Sequence, residues 1–243
     1  MPAQIKYRRV LLKLSGESLC PTEGQGIEAE ALKAVVERIG PVKALGVELA
    51  IVVGGGNFIR ARGFADHRTI RRVTADYMGM LGTVINALAL RDALEAAGMP
   101  ACVMSALPAG ASAGCGEPVD QIKAVEYLAA GRIVVFAGGT GSPFFTTDTT
   151  AALRASEIAA DVIVKATKVE GVYDSDPMLN PKARLFDRLT YHEALAKRLG
   201  VMDQAAFSLC GENRIPIIVC QVFDAGNLAK AVLGEKVGTL VSD

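Results

Sequence analysis

The sequence has no excess charge of either sign: 26 lysines and arginines balance 26 aspartates and glutamates over 243 residues. Without a global basic field, nucleic-acid binding is disfavoured as its main work, and only local basic patches remain open. No Cys-x-x-Cys pair occurs among Cys20, Cys102, Cys115, Cys210 and Cys220, and neither His67 nor His192 lies near a cysteine in sequence. A zinc site is therefore unsupported, and no metal-ligating residues are expected. Scattered cysteines without a secretory signal read as reduced thiols, mostly small core residues, in a cytoplasmic protein. Lys6, Arg8 and Arg9 precede an apolar run that stops at Lys13, too short for a signal peptide. The longest uncharged stretch, Met99 to Gly116, is broken by Pro100 and Pro108. It cannot form the ~20-residue apolar helix that a bilayer requires, so no membrane span is expected. Also missing are the Walker form Gly-x-x-x-x-Gly-Lys-Ser/Thr, a His-Arg-Asp catalytic loop and a Gly-x-Ser-x-Gly elbow.

What is present is a series of short β-branched runs alternating with longer helical patterns. Val10 to Leu14, Leu49 to Val53, Ala101 to Met104, Ile133 to Ala137, Val162 to Ala166 and Ile217 to Val222 read as strands. Glu28 to Leu45, Thr69 to Ala97 (one long or broken helix) and Asp120 to Ala130 read as helices. Thr190-Tyr191-His192-Glu193 has the form of a capping box and predicts a further helix start. Near-continuous apolar strands separated by helices imply an α/β fold, a mostly parallel central sheet covered on both faces. No repeat, linker or charge block marks a boundary, so residues 1–243 read as a single domain with two halves.

Ligands of open α/β sheets bind outside the carboxyl ends of the strands, and four loops there carry unusual chemistry. Lys13 closes an apolar strand beside Ser15 and Gly16; such a lysine either meets an anion or reaches solvent from an edge strand. Gly54-Gly55-Gly56-Asn57 follows the next strand, with Arg60 one helical turn on. Glycines let backbone N–H groups approach a phosphate, though a plain tight turn reads the same way. The arginine run from Arg62 to Arg72 reads as a solvated helix face or a subunit contact. The third loop, Gly138-Gly139-Thr140-Gly141-Ser142-Pro143-Phe144-Phe145-Thr146-Thr147-Asp148, enters a helix near Asp148. It supplies glycine backbone, hydroxyls, a carboxylate and two phenylalanines that either contact a base or pack in the core. Asp148 is also ordinary helix capping. In the fourth loop Lys165 closes another strand, followed by Thr167, Tyr173 and Asp176. The two lysines are expected to meet one triphosphate from opposite sides, and Tyr173 either flanks an adenine or sits in the core.

Together these segments resemble the amino acid kinase family and, within it, the bacterial UMP kinases. The likeness runs from Leu11-Leu12-Lys13-Leu14-Ser15-Gly16-Glu17 to Gly234-Glu235-Lys236-Val237-Gly238-Thr239-Leu240. Its most specific parts are Gly139 to Asp148, Asp76-Tyr77-Met78-Gly79-Met80-Leu81 and Val201-Met202-Asp203. The resemblance implies a three-layer αβα sandwich that transfers the ATP γ-phosphate to UMP, in pyrimidine nucleotide biosynthesis, with Mg²⁺ entering on ATP. It implies an N-terminal half that binds mainly UMP and a C-terminal half that binds mainly ATP. Lys13, Leu14, Ser15, Gly16, Gly56, Arg60, Thr167, Tyr173 and Asp176 match ATP positions. Gly55, Asp76, Thr140, Gly141, Ser142, Pro143, Phe144, Phe145, Thr146 and Thr147 match UMP positions. Lys165 and Asp148 match the catalytic pair, with Lys13 and Arg60 beside them and Asp148 orienting the lysines. Pro21, Thr22, Glu23, Gly24, Gln25 and Gly26 match a loop tied to GTP activation, where Pro21 and Gln25 depart from the commoner residues; Ser142 replaces a more usual asparagine. A homohexamer inhibited by UTP is further implied. The competing expectations are a kinase acting on a carboxylate or carbamate, and a non-catalytic nucleotide-binding protein.

Overall fold

Each strand's alternation sends neighbouring side chains to opposite faces of the sheet, and each face has its own helices to receive them. In the computed structural model, which describes residues 5–20, 25–59, 70–108, 114–197, 199, 202–224 and 226–243, nine strands form one sheet among the described residues. They are β1 (Arg9–Leu14), β2 (Glu48–Val53), β3 (Ala101–Ser105), β4 (Glu117–Pro118), β5 (Ile133–Ala137), β6 (Val162–Ala166), β7 (Arg188–Leu189), β8 (Ile217–Cys220) and β9 (Thr239–Val241). Their order is β4-β3-β5-β2-β1-β6-β8-β9-β7. Only the β8–β9 pair is antiparallel among those described, so the expected mostly parallel sheet is present.

On one face, Leu12, Leu14, Ile51, Val53, Val135 and Val164 meet α1 (Ala29–Ala44), α2 (Arg72–Ala96) and α7 (Asn227–Leu233). On the other, Leu11, Val52, Phe136 and Ile163 meet α3 (Gln121–Ala129), α4 (Thr147–Glu157), α5 (Tyr191–Ala196) and α6 (Gln204–Asn213). This is the three-layer α/β sandwich. The first core is mainly aliphatic and the second adds Phe136, Tyr191 and Phe207, each fully buried Leu, Ile, Val or Phe contributing about 1.5–3 kcal/mol before entropy is subtracted.

Helix starts follow local chemistry. Asp120 accepts hydrogen bonds from Ile122 N and Lys123 N at the head of α3, and Thr190 and Glu193 close the expected capping box at α5. The expected 69–97 helix is a single one, α2, although Thr69 lies outside the described residues. By length and composition alone α2 is apolar enough to cross a membrane, which the sequence reading did not flag. Here Ala87, Leu90 and Leu94 are fully buried against the sheet, so α2 is a layer of the core. The strand expected over 217–222 ends at Cys220.

One contact between layers fixes the spacing of the functional edge. Gly55 lies against α2 so closely that a Cβ there would run into Gly79 O, with Thr83 N at 3.1 Å. Both obstacles are backbone, so no rotamer change relieves them. Gly55→Ala is expected to destabilise the protein by about 1–3 kcal/mol, the usual cost of overpacking; a lower urea midpoint at unchanged slope is the measurement that checks it.

Candidate active site

Strands β1, β2, β5 and β6 are parallel neighbours, so the four loops singled out by composition leave the same edge of the sheet. Lys168 Nζ, 3.0 Å from Glu17 Oε2, ties the fourth loop to the first. Lys13 and Lys165 are register partners on β1 and β6. Lys13 shares its strand face with Leu11, and Lys165 shares its face with Ile163, so both side chains project toward α4. They therefore stand side by side on adjacent strands, each reaching a different oxygen of Asp148. Strand register, which no local sequence pattern states, sets this placement.

Between them sits Asp148, in the first turn of α4. Lys165 Nζ donates to Asp148 Oδ2 at 2.7 Å, and Lys13 Nζ forms an ion pair with Asp148 Oδ1 at 2.8 Å. All three side chains are largely buried, with exposures of 11% for Lys13, 15% for Asp148 and 12% for Lys165. Burial pushes the Asp148 carboxyl upward, but Lys13 and Lys165 outweigh it and hold the carboxyl below its ordinary value of 3.8. Burial lowers Lys165, an effect opposed by Asp148 and reinforced by Lys13. With Asp148 ionised and both lysines protonated, the trio carries one surplus positive charge, and an anion would relieve it.

A cleft opens on each side of this trio. The first, about 240 Å³, is lined by Lys13, Ser15, Gly16, Gly54–Gly56, Asp76, Gly79, Thr83 and Gly139–Thr150 residues including Thr140, Ser142, Phe145, Thr146 and Thr147. The second, about 500 Å³, is lined by Lys165, Thr167, Val169, Tyr173, Asp176, Pro177 and Lys197. The structure thus gathers Gly55, Asp76, Thr140, Ser142, Phe145, Thr146 and Thr147 in one cleft, which Gly141, Pro143 and Phe144 do not line, and Thr167, Tyr173 and Asp176 in the other. Ser15, Gly16 and Gly56, matched to ATP positions, line the first cleft beside Lys13 and not the second. Leu14 is buried at the end of β1, with its side chain in the core. Arg60 and Pro21–Gly24 lie outside the described residues; Gln25 is exposed, and Gly26 adopts φ 97°.

The third loop is built to hold its backbone. Thr146 caps α4, accepting from Asp148 N at 3.0 Å and Thr149 N at 3.3 Å. Phe144 has φ 74°, rare for a residue with a Cβ, and its N–H donates to Asp76 Oδ2 at 2.9 Å. Arg72 Nε holds the same carboxylate from the next helical turn at 2.9 Å. Phe144 and Phe145 are 65% and 54% exposed, which removes the core alternative for them. Tyr173 is likewise outside the core: it lines the second cleft and bonds Glu170 through its hydroxyl.

Two further residues support the site. Asp203 carries no role in the sequence pattern beyond its place in Val201-Met202-Asp203. It caps α6 through Ala206 N at 2.8 Å, accepts from Thr149 Oγ1 at 2.8 Å, and bonds the Thr146 hydroxyl. It thereby ties the start of α6 to the turn that presents Asp148. Thr83 accepts from Gly138 N at 2.8 Å and so joins α2 to the third loop. An aspartate three residues before a helical amide was the available signal for Asp203; Thr83 had none.

Among the described residues, no group of three His, Cys, Asp or Glu could hold a metal ion. Asp148 is engaged by lysines, Asp76 by Arg72 and Phe144 N, and Asp203 by hydroxyls and Ala206 N; in the second cleft Asp174 Oδ1 accepts from Ser175 and Arg184 N, and Asp176 Oδ1 from Met178 N. This donor set fits a divalent cation that arrives already bound to a polyphosphate.

The sequence profile of the amino acid kinase family matches residues 8–221. The chain is 49% identical over 237 residues to the uridylate kinase PUMPKIN, chloroplastic, of Arabidopsis thaliana, covering 98% of this chain and 69% of that protein. Among solved structures, the UMP kinase of Bacillus anthracis superposes with TM-score 0.92 at 38% identity, covering 98% of this chain and 96% of the other. That of Ureaplasma parvum gives 0.86 at 32%, covering 98% and 100%. The uridylate kinase of Archaeoglobus fulgidus gives 0.73 at 31%, covering 96% and 99%. With most of its length matched by one family profile and nearly all of it aligned to kinases of that fold, the chain belongs to the amino acid kinase family.

Proposed function

We propose that the protein is a UMP kinase, transferring the γ-phosphate of ATP to UMP to give ADP and UDP. The observation that carries this reading is a pair of clefts, one lined by Lys13 and the other by Lys165, whose lysines share the Asp148 carboxylate. UMP fills the first cleft, and ATP occupies the second with its phosphates reaching Lys13. A nucleoside monophosphate needs no general base, because its second pKa is ~6 and its oxygen is already anionic at neutral pH. The difficulty is bringing two polyanions end to end, and phosphoryl transfer is accordingly a problem of positioning and charge neutralisation. Lys13 and Lys165 neutralise the transferring group, Asp148 holds their ammonium groups apart and aimed, and the glycine turns offer backbone N–H groups. Mg²⁺ on ATP supplies further neutralisation of the phosphate oxygens. Arg60, one helical turn beyond the glycines in sequence, is proposed to join them.

Coupled ADP release with UMP, CMP, acetylglutamate and aspartate tests the assignment. Turnover with UMP at least tenfold above every other acceptor is expected, on the scale a built polar site discriminates. Preference for a carboxylate, or no turnover with any acceptor, would point to the competing readings.

We further propose a single domain across residues 1–243, with UMP drawn mainly to the N-terminal half and ATP to the C-terminal half, in support of pyrimidine nucleotide synthesis. A homohexamer is supported by α2, where Val73, Tyr77, Leu81 and Ile85, spaced four apart, are each at least 40% exposed. Such a stripe suits a second copy of the chain, and a monomer by light scattering would remove it. GTP as activator and UTP as inhibitor rest on the resemblance. Five free cysteines suit a reducing compartment, either the cytoplasm or, following the name of the Arabidopsis relative, a plastid.

A further inference from the structure

We propose that the buried amide pair Asn57–Asn86 is a positioning device for phosphoryl transfer: it fixes the Gly54–Gly56 turn between α2 and Gly26, and so aims that turn's backbone at the first cleft. The proposal rests on the reading of that cleft as a phosphate site.

Asn57 follows the glycine turn and Asn86 lies in the middle of α2; they are 5% and 0% exposed. Asn86 Nδ2 donates to Gly54 O and to Asn57 Oδ1, both at 2.7 Å. Asn57 Nδ2 donates to Asn86 Oδ1 at 2.9 Å and to Gly26 O at 2.6 Å. Two amide groups have four donor hydrogens, and all four are used. Flipping either amide would set an oxygen against a carbonyl, so the network fixes both orientations. Gly26 N in turn donates to Asn57 O at 3.1 Å, making that contact two-way.

A buried polar pair is costly unless fully bonded, and an aliphatic pair would fill the space as well. What an aliphatic pair cannot do is hold a peptide plane. Gly54 N donates to Leu14 O at 2.9 Å, at the end of the strand that carries Lys13. Gly54 O is held by Asn86. Because a trans peptide sets C=O and the following N–H in opposite directions, the Gly55 N–H is turned away from buried Asn86, toward the open side of the turn. A Cβ at Gly16 would collide with Asn57 Oδ1, so the first loop also rests on this pair. The amides thus register both phosphate-facing loops, and residue 26, to one helix.

The test uses the full chain with Asn86→Asp, isosteric but without the donors when ionised, and Asn86→Leu, apolar and of similar bulk. Both are expected to lower kcat about tenfold to a hundredfold, the scale of a small misplacement of reacting groups, while the KM values for UMP and ATP change less than about threefold. A folded variant of either kind with kcat within about twofold of wild type would overturn the proposal, whatever happens to its melting temperature. Should neither variant fold, hydrogen exchange on the wild-type protein decides. The amides of Gly54 and Gly26, bonded to Leu14 O and Asn57 O, are expected to exchange as slowly as residues 83–86, and exchange at exposed-loop rates would refute the clamp. Failure of the wild-type protein to phosphorylate UMP would sink the reading of the cleft instead, and the exchange result would still decide whether the clamp exists.

Discussion

Replacing Lys13 by alanine is expected to lower kcat by about 10²–10³-fold, the cost of losing one preorganised charge partner of a transition state, while leaving the fold intact. The two halves of this expectation have one source. Lys13, Asp148 and Lys165 carry a surplus positive charge in a largely buried site, and removing Lys13 leaves a balanced Lys165–Asp148 pair. A buried pair that stays matched is tolerated, so the melting temperature should move by only a few degrees. The catalytic loss is not cushioned, because Lys13 is the member that lines the first cleft. Steady-state kinetics beside thermal melting is the measurement; wild-type turnover in the folded variant would remove Lys13 from the mechanism.

Asp148→Asn reverses the balance. Two largely buried lysines, register partners on adjacent strands, would then face each other with no carboxylate between them. Loss of about 3–5 kcal/mol is expected, the range for breaking a buried pair by deleting one partner. Turnover should also collapse, since the ammonium groups lose the acceptor that spaces them. A multiply charged anion should partly replace the missing carboxylate, so inorganic triphosphate is expected to raise the melting temperature of the variant more than that of wild type.

The pH dependence follows from the depressed Asp148 value. Its folded pKa lies below 3.8, so its contribution is fully present above about pH 4 and is lost as pH falls through the folded value. The stability difference between wild type and Asp148→Asn should therefore be constant from pH 5 to 7 and shrink toward zero in stronger acid. A difference that held constant down to pH 2 would mean that the carboxylate is not what the lysines stabilise.

The family resemblance and the edge of the sheet were both legible in the residues. Lys13, Gly54–Gly56, Gly138–Asp148 and Lys165 stood out because a charge or a glycine cluster at the end of an apolar run is costly unless something repays it. The Thr190–Glu193 capping box was legible for the same local reason, since both partners lie within one helical turn. Less of the sheet's far side could be read. β4 and β7 have two residues each and β9 has three, too few for any period to show.

Local chemistry along the chain dictated which residues had to find an anion and which runs had to become strand or helix, because propensity and burial cost act on sequence neighbours. Which residues meet was settled by packing. Lys13 and Lys165 are 152 positions apart and became neighbours through the register of β1 with β6. Asp148 reaches both because α4 lies on the face to which their strand parity sends them. Asp203 reached the head of α4, and Asn86 the glycine turn, by the same kind of long-range placement. Register and parity are properties of packed layers, fixed when two hydrophobic faces close on each other, and no stretch of chain carries them alone.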